Sequence, residues 1–279
     1  MNWESSAGPL RPGQRSERRG TGPAIRIAAC LVAALVAIAG TGAIAPSPSS
    51  ARAPVTPLSP MPSELEARFA LSALPMKLRG GASVYLLDPK SGYRRARAGT
   101  SGIECLVQRT AWEMAEYRDD VYYALCYDSA GSGTYLKVIR EAARMRAEGV
   151  DARDLRSRVL ARYARGTYRA PARAGLSYMV APIMRTVGPP DMKIRTMSMP
   201  HLMFYAPGVT NADIAAAPDF ADPASLMNPF IDRQGNPEQS YMIQMVGKAE
   251  KDRIMAEEAS LVNALCTYRD ILCLHDIRH

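Results

Sequence analysis

The five cysteines are the residues whose number and spacing point most directly to chemistry. Cys30 lies in the N-terminal segment, whereas Cys105, Cys126, Cys266 and Cys273 lie in the rest of the chain. An even number of cysteines in an oxidising compartment predicts disulfide bonds, and four cysteines allow three pairings. We favour Cys105–Cys126, because both residues fall in predicted strands that could be neighbours, with Cys266–Cys273 as the complementary pair.

A Cys266–Cys273 bond is possible only if the chain between the two cysteines is not a straight helix. The seven residues from Cys266 to Cys273 span about 10.5 Å along a straight helix, beyond the limit of about 7 Å between bridged Cα atoms. The pair therefore requires the helix to break between the two cysteines. An alternative is a zinc site in which His275 and His279 join both cysteines as ligands, although this spacing matches no familiar zinc module.

His201 stands out among the three histidines. In a strand, His201, Met203 and Tyr205 share one face, because successive side chains alternate between faces. One interpretation is a His/Tyr site with His201 as base or ligand, and adding Cys105 as nucleophile would make a hydrolase or transferase. The alternative is a sheet histidine bonded to a neighbouring carbonyl, with Met203 and Tyr205 in the core.

The sequence contains no complete catalytic or cofactor-binding motif. It has no Walker loop, G-x-S-x-G, H-E-x-x-H or EF-hand loop, so we predict no cofactor. Apolar residues make up 47% and charged residues 22%, which is typical of a globular protein. The net charge of +8 favours solubility and weak attraction of anions, and it does not by itself indicate a nucleic-acid partner.

Residues 134–173 form the most basic region, with 11 Lys or Arg against four acidic residues. Two helices joined by a turn are predicted there, which invites a DNA-binding interpretation. Export of the chain argues against that, so we predict no nucleic-acid partner. Anionic lipid or cell-envelope polymer is a partner that this region could bind together with residues 27–45, but we favour a solvated arginine-rich face.

Residues 1–45 show the three parts of a secretory signal. A basic leader precedes residues 27–39, which lack charged side chains, and Ala43 and Ala45 place small residues at −3 and −1 of a cleavage site. The apolar centre of 13 residues is shorter than the roughly 20 that cross a bilayer. We therefore predict cleavage and export to the periplasm or the medium, with an uncleaved N-terminal membrane anchor as the alternative.

A linker and a single domain are predicted after the signal. Residues 46–62 contain six prolines and four serines, and proline favours extended polyproline II, so this stretch predicts a disordered, semi-stiff linker. The folded domain is predicted over residues 63–279. Ser63 and Glu66 have the spacing of a capping box that would open its first helix.

We predict an α+β fold, a mainly antiparallel sheet with helices packed on one face. Alternating apolar residues predict strands over 82–87, 93–98, 103–107, 121–127, 176–183, 193–198, 201–205 and 241–246. Helical periodicity predicts helices over 134–148, 152–165 and, at the C-terminus, 249–268. Residues 207–240, rich in Pro, Asp, Asn and Gly, predict long loops.

Two segments carry a resemblance to a family. Residues 99–107 (GTSGIECLV) and 201–207 (HLMFYAP) resemble those of an uncharacterised family of exported bacterial proteins, and residues 126–128 (CYD) fit the same pattern. The resemblance covers residues 63–246 and makes the final helix with its two cysteines an extension. The family has no known activity, so the resemblance implies an exported compartment and a fold outline but no catalytic residues.

These observations leave two hypotheses about function. The first is a non-catalytic exported domain, periplasmic or in the envelope, that binds a ligand or partner. It follows from a signal, a linker and paired cysteines without a complete catalytic set. The second is a hydrolase or transferase that depends on Cys105 and His201.

Overall fold

The structure of this protein, a computed structural model, describes residues 57–274. Its strands are β1 (Ser83–Asp88), β2 (Gly92–Arg97), β3 (Glu104–Gln108), β4 (Tyr123–Tyr127), β5 (Leu176–Met179), β6 (Met184–Gly188), β7 (Lys193–Met197), β8 (His201–Tyr205), β9 (Phe230–Arg233) and β10 (Ser240–Met245). Eight of them form one sheet in the order β2-β1-β3-β4-β5-β8-β10-β9. All neighbours are antiparallel except β1 and β3, which run parallel.

The helices lie before, between and after the strands. They are α1 (Ser63–Ser72), α2 (Met76–Arg79), α3 (Ser129–Ser132), α4 (Tyr135–Ala147), α5 (Ala152–Ala164), α6 (Lys248–Glu257) and α7 (Ala259–Tyr268). Together with the mainly antiparallel sheet they confirm the predicted α+β fold class. Within residues 57–274, no helix combines the length and the apolar character needed to cross a bilayer; the predicted signal segment lies outside this range.

Helices cover both faces of the sheet, which corrects the prediction that they pack on one face. Phe69 of α1 packs in one core cluster with Cys105 of β3. Leu136 of α4 packs in a second cluster with Leu106, the next residue of β3. Because successive side chains of a strand point to opposite faces, these clusters lie on opposite sides of the sheet. The central strands are consequently buried on both sides.

The predicted strand over 176–183 ends early. β5 stops at Met179, and the chain leaves the sheet near Pro182, which has no N–H to donate to a ladder. The chain then forms a separate hairpin of β6 and β7. An isolated bridge between Arg185 of β6 and Tyr122 beside β4 ties this hairpin to the main sheet.

β9 is a strand that sequence periodicity missed. It lies within residues 207–240, which were predicted as loops, and it pairs with β10 at the edge of the sheet. Its four residues are too few to display a clear alternation. Pairing with a long neighbouring strand, rather than local preference, defines it.

The predicted C-terminal helix over 249–268 is two helices, α6 and α7. They meet at Glu258, whose carboxylate is largely buried and forms an ion pair with Arg79 of α2. The chain bends there, and α7 contributes Leu261 and Leu265 to the core cluster that contains Phe69 of α1 and Cys105 of β3.

Both predicted disulfides are present. Cys105 and Cys126 stand directly opposite one another on β3 and β4, with Cα atoms 4.0 Å apart. Cys266 and Cys273 come together because α7 ends at Tyr268 and a short 3₁₀ turn follows, which brings their Cα atoms to 4.4 Å. These bonds indicate an oxidising environment.

The predicted capping box does not form. Pro62 precedes α1 as its N-cap without a side-chain hydrogen bond, and Ser63 is already the first helical residue. Glu66 is buried instead, and its carboxylate accepts a hydrogen bond from the Leu87 N–H of β1. A tertiary contact has therefore replaced the local one.

The last residues of the predicted linker pack on the domain, which corrects their assignment as disordered. Met61 is buried in the core cluster of α1, and the Ser59 N–H donates to the Asp119 carboxylate at 2.8 Å. Arg109 also donates to the Ser59 carbonyl. Residues 46–56 of that linker lie outside the described range.

Candidate functional site

A cavity of about 360 Å³ opens on the face of the sheet that carries His201. Residues of β5, β8 and β10 line it together with residues of the β6–β7 hairpin. The lining is mostly apolar, and eight methionines contribute to it: Met114, Met179, Met184, Met192, Met197, Met199, Met203 and Met245. We refer to the space bounded by these residues as the methionine cavity. Thioether side chains are flexible and polarizable, so such a lining adapts to what it binds.

Three side chains form a row across the sheet side of the cavity. His201 of β8 stands directly opposite Met179 of β5 and also directly opposite Met245 of β10. Directly opposite residues of antiparallel strands project from the same face with Cβ atoms about 4.5–5.5 Å apart. The register therefore places one imidazole between two thioethers.

The hairpin contributes a second pair of methionines. Met184 of β6 and Met197 of β7 are directly opposite one another. A Cβ on Gly188 would lie 2.4 Å from the Met197 methyl carbon, so a side chain at this position would displace Met197. Glycine at position 188 thus leaves the space that Met197 occupies.

His201 is a buried, neutral imidazole. Burial lowers its pKa, and the hydrogen bond from the ring to the Met199 carbonyl opposes that shift. The ring nitrogen Nδ1 lies 2.7 Å from this carbonyl oxygen, which can only accept, so Nδ1 carries the proton. Nε2 then keeps its lone pair, and it has no hydrogen-bond partner among the described residues.

Two carboxyl groups line the same cavity. Burial raises the pKa of Glu113 to about 7, and the nearby carboxylate of Asp232 adds to the rise. Burial also raises the pKa of Asp232. Arg233 also lines the cavity, but within the described residues it forms no ion pair with either carboxyl. An uncompensated carboxylate in an apolar cavity favours a positively charged ligand.

Cys105 and His201 do not form the catalytic pair that the sequence suggested. Cys105 is fully buried and bonded to Cys126, so it offers no thiolate. The register adds a second reason, because Cys105, Cys126, Tyr178 and Leu202 form one row on the opposite face of the sheet. His201 adjoins Leu202 and therefore points the other way.

Tyr205 shares a face with His201 and Met203, as expected from their spacing, but it does not line the cavity. It belongs to a tyrosine cluster formed by Tyr127, Tyr135, Tyr205 and Tyr241. The Tyr205 hydroxyl lies 2.9 Å from the Asp128 carboxylate and 2.8 Å from the Leu176 carbonyl. Its position is structural, so the structure does not support it as a catalytic partner of His201.

The zinc hypothesis for the C-terminal tail loses two of its four ligands. Cys266 and Cys273 are bonded to one another, and His275 and His279 lie outside the described residues. Across residues 57–274, no group of three or more His, Cys, Asp or Glu side chains is placed to hold a metal ion.

The basic region 134–173 uses several of its arginines in internal contacts. Arg146 is buried and donates to the Arg109 carbonyl. Arg162 and Glu141 form an ion pair, and Arg144 and Glu148 form another. These contacts reduce the charge available to an anionic partner.

The sequence analysis identified His201 and Met203 but missed the other methionines around them. Six methionines fall between positions 179 and 203, at 179, 184, 192, 197, 199 and 203. That local density was the available signal. Its meaning depended on the register of three strands, because Met179 and Met245 are far apart along the chain.

Comparisons of this chain with protein-family models, with curated proteins and with solved structures found no match. The resemblance to exported bacterial proteins therefore stays a prediction, and the argument about function rests on the site.

Proposed function

We propose that this protein is an exported, non-catalytic binding domain whose ligand occupies the methionine cavity. The cavity itself is the observation that carries this proposal. Its volume of about 360 Å³ falls within the range of about 300–1,000 Å³ that is typical of ligand sites. A mostly apolar lining with a few polar groups is also typical of such sites.

The polar groups of the cavity are suited to orienting a ligand. His201 offers an unprotonated Nε2, and Glu113 offers a carboxyl with a pKa of about 7. Groups with shifted pKa values concentrate at functional sites, because burial that is costly for stability persists where it serves binding.

The two disulfides support the exported part of the proposal. Cys105–Cys126 and Cys266–Cys273 require an oxidising compartment to form and persist. The signal predicted in residues 1–45 supplies the route to such a compartment.

An apolar, environment-sensitive fluorescent probe tests the proposal on the full-length protein. We expect saturable binding with enhanced emission, and we expect Thr186→Trp to weaken it by at least about tenfold, or about 1.4 kcal/mol. Thr186 lines the cavity, so the indole would fill it.

Lys193→Trp is the matched control, since Lys193 lies on the same hairpin with an exposed side chain outside the cavity. It should leave probe binding unchanged. Failure of the wild-type protein to bind any apolar probe would contradict the proposal, as would equal binding by a folded Thr186→Trp variant.

A further inference from the structure

Given the proposed function, on which this inference rests, the geometry points to monovalent copper, Cu(I), as the ligand of the methionine cavity. The ion is held by the Nε2 atom of His201 and by the thioether sulfurs of Met179 and Met245. A site with one imidazole and two thioethers is built from the row that crosses β5, β8 and β10.

The register of the sheet brings the three ligands together. Met179 and Met245 flank His201 from opposite sides, each at a directly paired position. Cβ separations of about 4.5–5.5 Å on each side let three side chains converge on one ion above the sheet. Met179 and His201 are also buried, so the ion would be shielded from water.

The hydrogen bonding of His201 matches that of a metal ligand. A coordinating histidine almost always donates its other ring N–H to a carbonyl or carboxylate, which fixes the tautomer and the ring orientation. The Met199 carbonyl accepts from Nδ1 in this way at 2.7 Å. The lone pair of Nε2, which has no hydrogen-bond partner among the described residues, is left for a metal ion.

The chemistry of the donor set selects the metal. Thioethers are soft ligands that favour Cu(I), whereas carboxylate, carbonyl and water ligands suit Mg²⁺ and Ca²⁺. The described cysteines are tied up in disulfides, so thioethers are the soft donors that remain in an oxidising compartment. Met203 lies on the same face two residues after His201 and could complete the sphere.

The charge of the cavity favours a cation of low charge. Glu113, Asp232 and Arg233 line the cavity, and neither carboxyl forms an ion pair among residues 57–274, so the two carboxyls outnumber the one arginine. A single positive charge offsets one buried carboxylate, and it requires less desolvation than a divalent ion would.

Competition for Cu(I) tests the inference on the full-length, disulfide-bonded protein. The protein is titrated under ascorbate against the coloured complex of Cu(I) with bicinchoninate. We expect the protein to remove one equivalent of Cu(I). We expect the double variant Met179→Leu/Met245→Leu to lose at least about 100-fold in affinity, since loss of even an outer-shell partner costs about 10–100-fold.

Leucine keeps the volume of methionine and removes the sulfur, so the double variant should fold and still bind the apolar probe. Met76→Leu is the matched control, because Met76 is exposed on α2 and outside the cavity. His275→Ala/His279→Ala tests the tail separately, and both controls should bind Cu(I) like the wild type. X-ray absorption of the copper complex should show sulfur and nitrogen neighbours.

Four results would overturn the inference. If the wild type takes no Cu(I) but binds the apolar probe, the copper assignment fails while the proposed function stands. Undiminished Cu(I) affinity in the double leucine variant would place the ion elsewhere. A copper spectrum with oxygen and nitrogen neighbours alone would exclude thioether ligation. Loss of both copper and probe binding in the wild type would remove the proposed function as well.

Discussion

One face of β8 ends in two different environments, the tyrosine cluster at Tyr205 and the methionine cavity at His201. Tyr205 lies four positions after His201, or about 13 Å along the strand. In the cluster, the Tyr135 ring lies 5.3 Å from the Tyr205 ring and 5.2 Å from the Tyr241 ring, centroid to centroid. Rings at these distances leave no room for a ligand.

The polar atoms of the cluster are also satisfied. The Tyr127 and Tyr241 hydroxyls lie 2.9 Å apart, and the Tyr135 hydroxyl donates to the Glu238 carbonyl at 2.6 Å. The cavity, by contrast, retains an imidazole nitrogen without a hydrogen-bond partner and two carboxyls without an ion-pair partner among the described residues. One end of the strand is filled by packed rings, and the other borders an open cavity, which we propose binds a ligand.

The element that covers each end accounts for the difference. α4 lies over the cluster and supplies Tyr135, a rigid ring that fills the space above the sheet. The β6–β7 hairpin borders the cavity, and an isolated bridge at Arg185 ties it to the sheet. A helix packed through aromatic side chains closes the gap, whereas a hairpin with methionine side chains leaves it open.

The largest loss of stability should come from removing one ring of the tyrosine cluster. Tyr135→Ala removes a fully buried ring and its hydrogen bond, so we expect the free energy of unfolding to fall by about 3–5 kcal/mol. Urea denaturation measures this loss. Met192→Ala on the cavity side is the control, since Met192 is 47% exposed, and it should change stability by no more than about 0.5 kcal/mol. Similar losses of unfolding free energy in both variants would show that the tyrosine cluster contributes no more to stability than the cavity side does.

A smaller effect is expected from removing one hydroxyl of the cluster. Tyr205→Phe deprives the Asp128 carboxylate of a donor at 2.9 Å, and we expect unfolding to become easier by about 1–3 kcal/mol. Probe and Cu(I) binding should not change, because Tyr205 does not line the cavity. Weakened binding in a stable Tyr205→Phe protein would show that the two ends are coupled.

The smallest expected effect is on the pH dependence of stability, to which Glu113 in the cavity contributes and the tyrosine cluster does not. Burial raises the pKa of Glu113 to about 7 from its usual 4.5, so the folded state holds a proton that the unfolded state has released between these values. This group therefore stabilises the fold below pH 4.5 and loses that contribution as pH rises through 7. Burial raises the pKa of all four tyrosines of the cluster, so the cluster does not titrate in this window.

Glu113→Gln measures that contribution. After a discount for partial exposure, the fall in unfolding free energy between pH 4.5 and 8 should be about 1–2 kcal/mol smaller in the variant than in the wild type. Asp232→Asn should lower the pKa of Glu113, because the Asp232 carboxylate contributes to raising it. If the unfolding free energies of wild type and Glu113→Gln depend equally on pH, the pKa of Glu113 is not raised in the folded state.

The features that the sequence predicted correctly are those encoded by local patterns of apolar and polar residues. The helices over 135–147 and 152–164 follow from apolar spacing within one element, and the strands at 104–108 and 201–205 follow from alternation. The Cys105–Cys126 bond followed from two such strands being neighbours. The helix and strand inferences used residues close in sequence, where geometry is fixed by the backbone.

The sequence by itself therefore determined the α+β class and most strand positions, because periodicity and spacing are properties of single elements, and it favoured one of three possible cysteine pairings. Tertiary structure alone decided which face each helix covers, and it decided that Met179, His201 and Met245 share one row. That row joins residues from three strands in an order different from their order along the chain. Register between distant strands is set by packing of the whole sheet, and no local pattern encodes it.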